Sequence, residues 1–198
     1  MSTYDFTKRF VTIIASKNMN DAIEFAKYII ELVSKLENVD IHILDADKSI
    51  ANKKNNLQSA YTDFVEEVNK RVKERKGNRV LQIIIGIDKF LSSTEIDEFE
   101  FSETLKTAEE SEMYNFIVIE NPNRLKSHEY EGWYKNYITG EDGIWVGNGI
   151  DDQFLINIIS DRMQLINNCG RSFGYLIEEG NAVLMKLIGM KEKGDENE

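Results

Sequence analysis

The stretch Val80 to Phe90, VLQIIIGIDKF, constrains the fold of this chain more than any other. Gln82 is the one polar residue among its first six, and Gly86 and then Asp88 follow. Because the stretch lacks the alternation of a half-exposed strand, it predicts a strand buried on both faces in the middle of a parallel sheet. An acid that follows such a strand lies near the carboxyl edge of the sheet, where open α/β folds bind ligands.

Hydrophobic periodicity places strands and helices in alternation around this stretch. Further strands are expected at residues 10–15, 39–44, 115–119 and 143–146, with a final β-hairpin of strands 173–178 and 182–188. Helices are expected from Asn18 or Asn20 to Leu36, over residues 57–75 and 127–137, and in the second half of the acidic stretch 92–112, with Ser102 as its cap. This order predicts one three-layer α/β domain over residues 1–190, with a mostly parallel sheet and right-handed crossovers. Residues 191–198 form a charged tail that we expect to be disordered.

Composition excludes several classes of protein. The chain has 35 acidic and 24 basic residues, a net charge of −11, so we expect no nucleic-acid partner. The one basic cluster, within residues 70–79, ends a predicted helix, where cations stay solvated and offset the helix dipole. A single cysteine, Cys169, excludes an intramolecular disulfide and a cysteine-built zinc site, and indicates a reducing cytosol. No apolar run reaches the ~20 residues of a membrane helix, so we expect no direct membrane insertion.

The loop after the first strand, residues 15–21, lacks the features of a phosphate-binding loop. Such loops need glycines, so that backbone amides turn inward, and a lysine just before the helix. The earliest of the chain's 12 glycines is Gly77, Lys17 comes too early in the loop, and Asp21 adds negative charge. We therefore expect no cofactor beyond weak binding of Mg-ATP, and no efficient hydrolysis or catalytic residue.

The remaining titratable residues give no stronger chemistry. Asp45 and Asp47 follow the second strand, but without preceding glycines they are interpreted as loop-capping residues rather than ribose-binding acids. His42 and His128 lie far apart in sequence with no cysteine partner, so no metal site is expected. Asp88 is the best single acid, and capping of the next turn is its favoured role.

An aromatic cluster after the fourth strand is the best candidate for partner binding. It consists of Tyr130, Trp133, Tyr134 and Tyr137. Trp133 and Tyr137, four residues apart, are expected to pack inward as one stripe, and Tyr130 and Tyr134 to form a parallel pair outside. Aromatic residues with a polar group are enriched at protein interfaces.

Four stretches carry a resemblance to a known family. They are VLQIIIGIDKF (80–90), NFIVIENPNRL (115–125), EGWYKNYITGEDGIWVGNGIDDQF (131–154) and GRSFGYLIEEGNAVLMKLI (170–188). The segment GIWVGNG, followed by Asp152 and Gln153, is the most specific. Together they resemble the last ATPase-like module of the EssC/EccC proteins, membrane-anchored motors of type VII secretion in the FtsK/SpoIIIE branch of P-loop ATPases.

The resemblance implies a P-loop-NTPase-like (RecA/FtsK-like) fold and a cytosolic module of a larger protein at the cytoplasmic face of the cell membrane. Terminal modules of that family often have degraded nucleotide motifs and help to recognise, or regulate the export of, small helical WXG-type substrates. The implied partners are those substrates and neighbouring ATPase modules of the same chain, with a hexamer as one arrangement. Ser16, Lys17, Asn18 and Asp88 carry over as degenerate equivalents of nucleotide-binding residues, and Gly86 is the alternative to Asp88 for the Walker B position.

Two other functions remain open from the sequence. One is a weakly active ATPase whose site a neighbouring module completes. The other is a free-standing binding protein with a Rossmann-like fold.

Overall fold

The computed structural model describes residues 5–50, 56–74, 76–160, 165 and 169–190. The predicted tail, residues 191–198, lies outside this part of the chain. Seven strands form one sheet: β1 Val11–Ala15, β2 Val39–Asp45, β3 Arg79–Ile85, β4 Tyr114–Glu120, β5 Gly143–Val146, β6 Phe173–Glu178 and β7 Asn181–Lys186. Within the described residues, the helices are α1 Met19–Val33, α2 Leu57–Glu74, α3 Ile87–Ser92, α4 Glu98–Glu110, α5 Pro122–Lys126 and α6 Gly132–Tyr137.

The strand order is β2-β3-β4-β1-β5-β6-β7. Strands β1 to β5 are parallel, whereas β6 pairs antiparallel with β5 and with β7. The predicted α/β class, the mostly parallel sheet and the final hairpin are therefore confirmed. Strand β3 lies between β2 and β4, and its residues Ile83 to Ile85 are fully buried, as the apolar run predicts.

Right-handed crossovers distribute the helices unequally over the two faces of the sheet. The connection from β1 to β2 runs one way along the sheet and places α1 on one face, with Phe25 and Ile29 in its core. The later connections run the other way and place α2, α4 and α6 on the opposite face. The direction changes between β1 and β4, so the carboxyl ends of these strands form the switch point, where ligands bind in such folds.

Three local predictions were wrong. The stretch Val80 to Phe90 is not one strand, because β3 ends at Ile85 and α3 begins at Ile87, after Gly86. The N-cap of α4 is Asp97, whose side chain accepts a hydrogen bond from the Glu100 amide, so Ser102 lies inside the helix. The helix predicted over residues 127–137 is replaced by α5 and α6. Pro122, favoured at the first position of a helix, starts α5 behind the Asn121 cap.

Candidate functional site

The turn between β1 and α1 occupies the place of a phosphate-binding loop. It contains three residues, Ser16 to Asn18, whereas the GxxxxGK[ST] motif has four between its two glycines alone. Ser16 is buried, and its hydroxyl donates to the Val146 carbonyl at 2.8 Å and accepts from the Asn18 amide at 3.1 Å. Asn18 caps α1 by accepting a hydrogen bond from the Asn20 amide at 3.2 Å. These bonds hold the turn against the end of β5.

Two cations border this turn, and each is paired with carboxylates of the same chain. Lys17 Nζ lies 2.7 Å from Asp152 Oδ2, which lowers the pKa of the Asp152 carboxyl. Arg171 contacts Asp21 at 3.5 Å and also contacts Glu24. A cavity of about 390 Å³ opens here. Its lining consists of Ser16, Lys17, Asn18, Asp21, Asn148, Gly149 and Arg171.

Sequence reasoning singled out Lys17 but missed the charges that neutralise it. Asp152 lies 135 positions along the chain from Lys17, so no local pattern pairs the two residues. Gly149 lies so close that a Cβ there would be 2.9 Å from the Lys17 Cδ. The one sequence signal for this pairing was the segment GIWVGNG, which ends at Gly149 and is followed closely by Asp152.

Gly86, not Asp88, directly follows β3 in the structure. Its amide donates to the Ile119 carbonyl at 3.0 Å, and its φ of 71° is a left-handed conformation that favours glycine. A Cβ at this position would lie 2.9 Å from Asp47 Oδ2. The position directly after β3 therefore has no acidic side chain.

Asp88 lies in the first turn of α3, and its carboxylate contacts a histidine. Its Oδ1 is 3.2 Å from His128 Nε2, and His128 Nδ1 is 2.7 Å from Glu131 Oε1. His128 is buried. Asp88 does not line the cavity beside Ser16 in the described part of the chain. The structure thus brings Ser16, Lys17 and Asn18 together and places Asp88 in a separate polar group.

Glu120 is a buried acid that sequence reasoning passed over. It ends β4 and is 0% exposed; its two oxygens accept hydrogen bonds from the amides of Asp88, at 3.2 Å, and Asn121, at 2.7 Å. Burial raises the pKa of the Glu120 carboxyl, although these hydrogen bonds oppose the shift. Its sequence signal was an acid directly after the buried run NFIVI. Among the described residues, no group of three or more potential metal ligands is arranged to hold a metal ion.

Of the two acids that the sequence suggested as loop caps, Asp45 at the end of β2 has that role, whereas Asp47 pairs with a lysine of α3. Asp45 accepts hydrogen bonds from the Ile50 amide at 2.7 Å and from the Ser49 hydroxyl. Asp47 Oδ1 lies 3.2 Å from Lys89 Nζ. His42 lies within β2, and burial lowers the pKa of its imidazole.

The aromatic cluster is mostly part of the core. Trp133 is 1% exposed and packs edge-on against Phe101, with ring centroids 5.6 Å apart. Tyr134 is also buried, so the prediction that it pairs with Tyr130 on the surface was wrong. Tyr130 precedes α6, so the four-residue spacing does not lie within one helix. Tyr130 is 79% exposed, and Tyr137 is half-buried and donates to Glu109 at 3.3 Å.

The strand order and the site together define a class of protein. With β4 between β1 and β3, the sheet differs from the Rossmann order 3-2-1-4 and from the flavodoxin order 2-1-3. It is a P-loop-NTPase-like sheet with a short turn in place of the phosphate loop. The sheet therefore does not have the strand order of a Rossmann fold.

Comparison with solved structures confirms this fold and the family resemblance at the level of structure. The chain is similar to the cytoplasmic domain of EssC, with a TM-score of 0.67 and 14% identity over 92% of this chain and 40% of that one. It is also similar to ATPases 2 and 3 of EssC from Geobacillus thermodenitrificans (TM-score 0.69, 11% identity, 92% of this chain and 37% of that one). ATPases 2 and 3 of EccC from Thermomonospora curvata, in complex with a signal sequence peptide, give a TM-score of 0.62 at 11% identity, again over 92% of this chain and 37% of that one.

The chain thus spans less than half the length of these structures. Comparison with protein-family models found no match, and comparison with curated protein sequences found none. Among the described residues, no helix is both long and apolar enough to cross a membrane.

Proposed function

We propose that this chain is an ATPase-like module of a type VII secretion motor whose nucleotide site is degenerate. It acts in the recognition or regulation of protein export rather than in ATP hydrolysis. The similarity to EssC and EccC structures supports the setting. The three-residue turn at Ser16 to Asn18 carries the degenerate-site part of the proposal, because it is too short to surround a phosphate with backbone amides.

The charges at this turn support the same conclusion. Binding of a nucleoside triphosphate requires unpaired cations and inward-facing backbone amides. Here both Lys17 and Arg171 are paired with carboxylates. Asp21 and Glu24 add negative charge where a phosphate would lie. Gly86 offers no acid to hold Mg²⁺ at the end of β3.

The proposed setting is the cytoplasmic face of the cell membrane, beside neighbouring ATPase modules of a longer chain, with a hexamer as one arrangement. The proposed substrates are small helical WXG-type proteins. The EccC structure that contains a signal sequence peptide supports a substrate-binding role for modules of this shape. Within the aromatic cluster, Tyr130 has the largest exposed ring and is the proposed contact residue.

Calorimetry with Mg-ATP tests the degenerate site. Titration into the purified domain at concentrations that reveal a millimolar dissociation constant should give no binding heat, whereas a competent P-loop ATPase module measured alongside should give a clear signal. Heat that is lost in Lys17→Ala and retained in the exposed control Lys35→Ala would overturn the proposal. Lys35 is a suitable control because it lies beyond the other end of α1, where it pairs with Glu31 on the surface.

A titration with a labelled WXG-type substrate tests the docking role. The domain should bind the substrate, and Tyr130→Ala should weaken binding, while Tyr28→Ala, a half-buried tyrosine on α1, should leave it unchanged. Equal binding by the two variants would remove Tyr130 from the contact surface. No binding of the substrate by the wild-type domain would overturn the recognition role.

One observation favours a second candidate, a weak ATPase completed by a neighbouring module. Lys17 and Arg171 both line the 390 Å³ cavity at the N-terminus of α1. Basic side chains of another module could pair with the carboxylates that now hold Lys17 and Arg171, and so free these two residues to bind phosphate. ATP turnover by the full assembly that falls on Arg171→Ala would support this candidate. Turnover that is unaffected by Arg171→Ala would exclude this site.

A further inference from the structure

A second cavity lies away from the nucleotide-site equivalents, beside α2. It has a volume of about 610 Å³ and runs between α2 and β2, the edge strand of the sheet. One wall of this cavity is formed by one face of α2 together with the residue before the helix. Its residues are Asn56, Ser59, Ala60, Asp63, Phe64 and Glu67. This stripe spans about 16 Å at the helical rise. We name this cavity the α2–β2 groove.

The floor of the α2–β2 groove contains a buried acceptor without a partner. Gln82, from the middle of β3, lines the groove and is 1% exposed, and its Oε1 receives no hydrogen bond from the described residues. Its Nε2 donates only long bonds, at 3.3 Å to the His42 carbonyl and 3.5 Å to the Ile83 carbonyl. Both bonds are longer than the usual N–H···O range, so they hold the amide weakly. A buried unpaired carbonyl is unfavourable, and a donor that enters the groove would remove that penalty.

The charge of the α2–β2 groove also selects donors. Asp63 forms no hydrogen bond or ion pair within the described part of the chain. Glu67 also lines the groove and is paired with Arg71 at 2.6 Å. His42 is the one basic side chain of the lining, and because burial lowers its pKa it is uncharged at neutral pH. The lining therefore offers acceptors and negative charge to whatever binds there.

The edge of the sheet at this groove is open. Among the described strands, only β3 pairs with β2. The Ala46 amide donates to the Ile85 carbonyl of β3. Bonding alternates along a strand, so the peptide groups of Ile41 and Ile43 face away from β3. An open edge strand can pair with an extended peptide, and the neighbouring pocket then selects its side chains.

We infer that the α2–β2 groove docks an extended, basic peptide segment of a partner protein. The main chain of this segment pairs with the open edge of β2, and a lysine or arginine side chain enters the groove to meet Asp63 and the carbonyl of Gln82. A helical segment would satisfy the groove less well, because its main-chain donors are already used. The inference deepens the proposed function, on which it rests for the idea that this module docks a protein. It places the docking surface at the opposite end of the helical layer from Tyr130, since α4 packs between α2 and α6.

An NMR titration of the full chain with a capped nonapeptide, TVKVTVKVT, tests this inference. Amide shifts should be confined to β2 and the groove side of α2. Asp63→Asn should weaken binding about tenfold, as expected for loss of one charge-assisted hydrogen bond. Glu66→Gln is the matched control, since Glu66 is exposed on α2 and does not line the groove. The peptide TVEVTVEVT should not bind.

Two further arms separate an extended peptide from other ligands. Only alternate residues of an added strand bond to β2. A peptide that is N-methylated at the odd-numbered residues and one that is N-methylated at the even-numbered residues should therefore differ: one should lose binding and the other should keep it. Equal binding in both phases would overturn the strand pairing. Spermidine that shifts the same amides with the affinity of the peptide would show that any cation binds, which overturns the peptide docking.

The outcome is distinguishable from that of the proposed function. No shifts at millimolar peptide, together with no Mg-ATP heat, would overturn the groove and leave the degenerate site intact. Peptide binding together with Lys17-dependent ATP heat would overturn the degenerate site and leave the groove.

Discussion

The turn after β1 and the α2–β2 groove both contain buried polar side chains, but they differ in how those side chains are satisfied. In the turn, the Ser16 hydroxyl both donates and accepts, and the nearby cations face carboxylates. In the groove, no described residue donates to the Gln82 carbonyl or pairs with Asp63. Polar groups that are satisfied within the chain rigidify a structure, whereas unsatisfied ones are favourable places for a ligand. This difference agrees with the two proposals made above, a peptide site beside β2 and a degenerate nucleotide site at the turn after β1.

The aromatic cluster offers the largest expected effect and a way to break this comparison. Trp133→Ala should lower the free energy of unfolding by about 3–5 kcal/mol, because it removes a fully buried indole from the α4–α6 contact. Tyr130→Ala, at an exposed ring, should change it by less than about 0.5 kcal/mol. Urea unfolding measures both. A small loss for Trp133→Ala, with partner binding abolished, would make this cluster the docking surface instead of the groove.

Ser16→Ala tests whether the turn is held by its own hydrogen bonds. The substitution leaves the Val146 carbonyl and the Asn18 amide without the Ser16 partner, so unfolding free energy should fall by about 1–3 kcal/mol. Ser59→Ala, at an exposed position of α2, is the matched control and should stay within about 0.5 kcal/mol. A loss no larger than that of the control would mean that the turn is not locked.

Gln82→Met should change stability in the opposite direction. Methionine has a similar volume and no carbonyl to leave unpaired, so the free energy of unfolding should rise by about 1 kcal/mol. Gln58→Met is the contrast, because Gln58 Oε1 accepts a hydrogen bond from the Glu95 amide at 2.8 Å and its loss should be destabilising. Chemical denaturation of both variants gives the two signs. Equal signs would show that Gln82 is satisfied in solution.

The pH dependence of stability should give the smallest effects, with opposite signs for His42, which lines the α2–β2 groove, and Glu120, at the end of β4. Burial lowers the pKa of His42 below its ordinary 6.5, so the unfolded chain binds the proton first and stability falls as pH decreases from 6.5 toward the folded pKa. Burial raises the pKa of Glu120 above its ordinary 4.5, so the unfolded chain ionises first and stability falls as pH increases from 4.5 toward the folded pKa.

Unfolding curves across this pH range check both signs by difference. The stability of the wild-type chain relative to His42→Phe should fall on acidification below 6.5. Its stability relative to Glu120→Gln should fall on alkalinisation above 4.5. A flat difference for either pair would mean that the carboxyl or imidazole is solvated in the folded chain.

The sequence alone determined the sheet and its class. An apolar run such as Val80 to Ile85 can only be buried on both faces, and the alternation of strands and helices then requires a parallel sheet with helices on both sides. The lack of glycine before Gly77 likewise identified the altered loop, because backbone amides cannot surround a phosphate without it. These inferences depend on local chemistry, which a sequence displays directly.

Tertiary structure decided which polar groups meet. How the elements pack determines that Lys17 pairs with Asp152 and that Asp88 contacts His128. It also determines that Tyr134 is buried. The open edge of β2 and the unpaired carbonyl of Gln82 also follow from strand order, since the same glutamine in an apolar run predicts only a buried position. Hydrogen-bond satisfaction depends on distances of a few tenths of an ångström, and these are fixed only when the chain has folded.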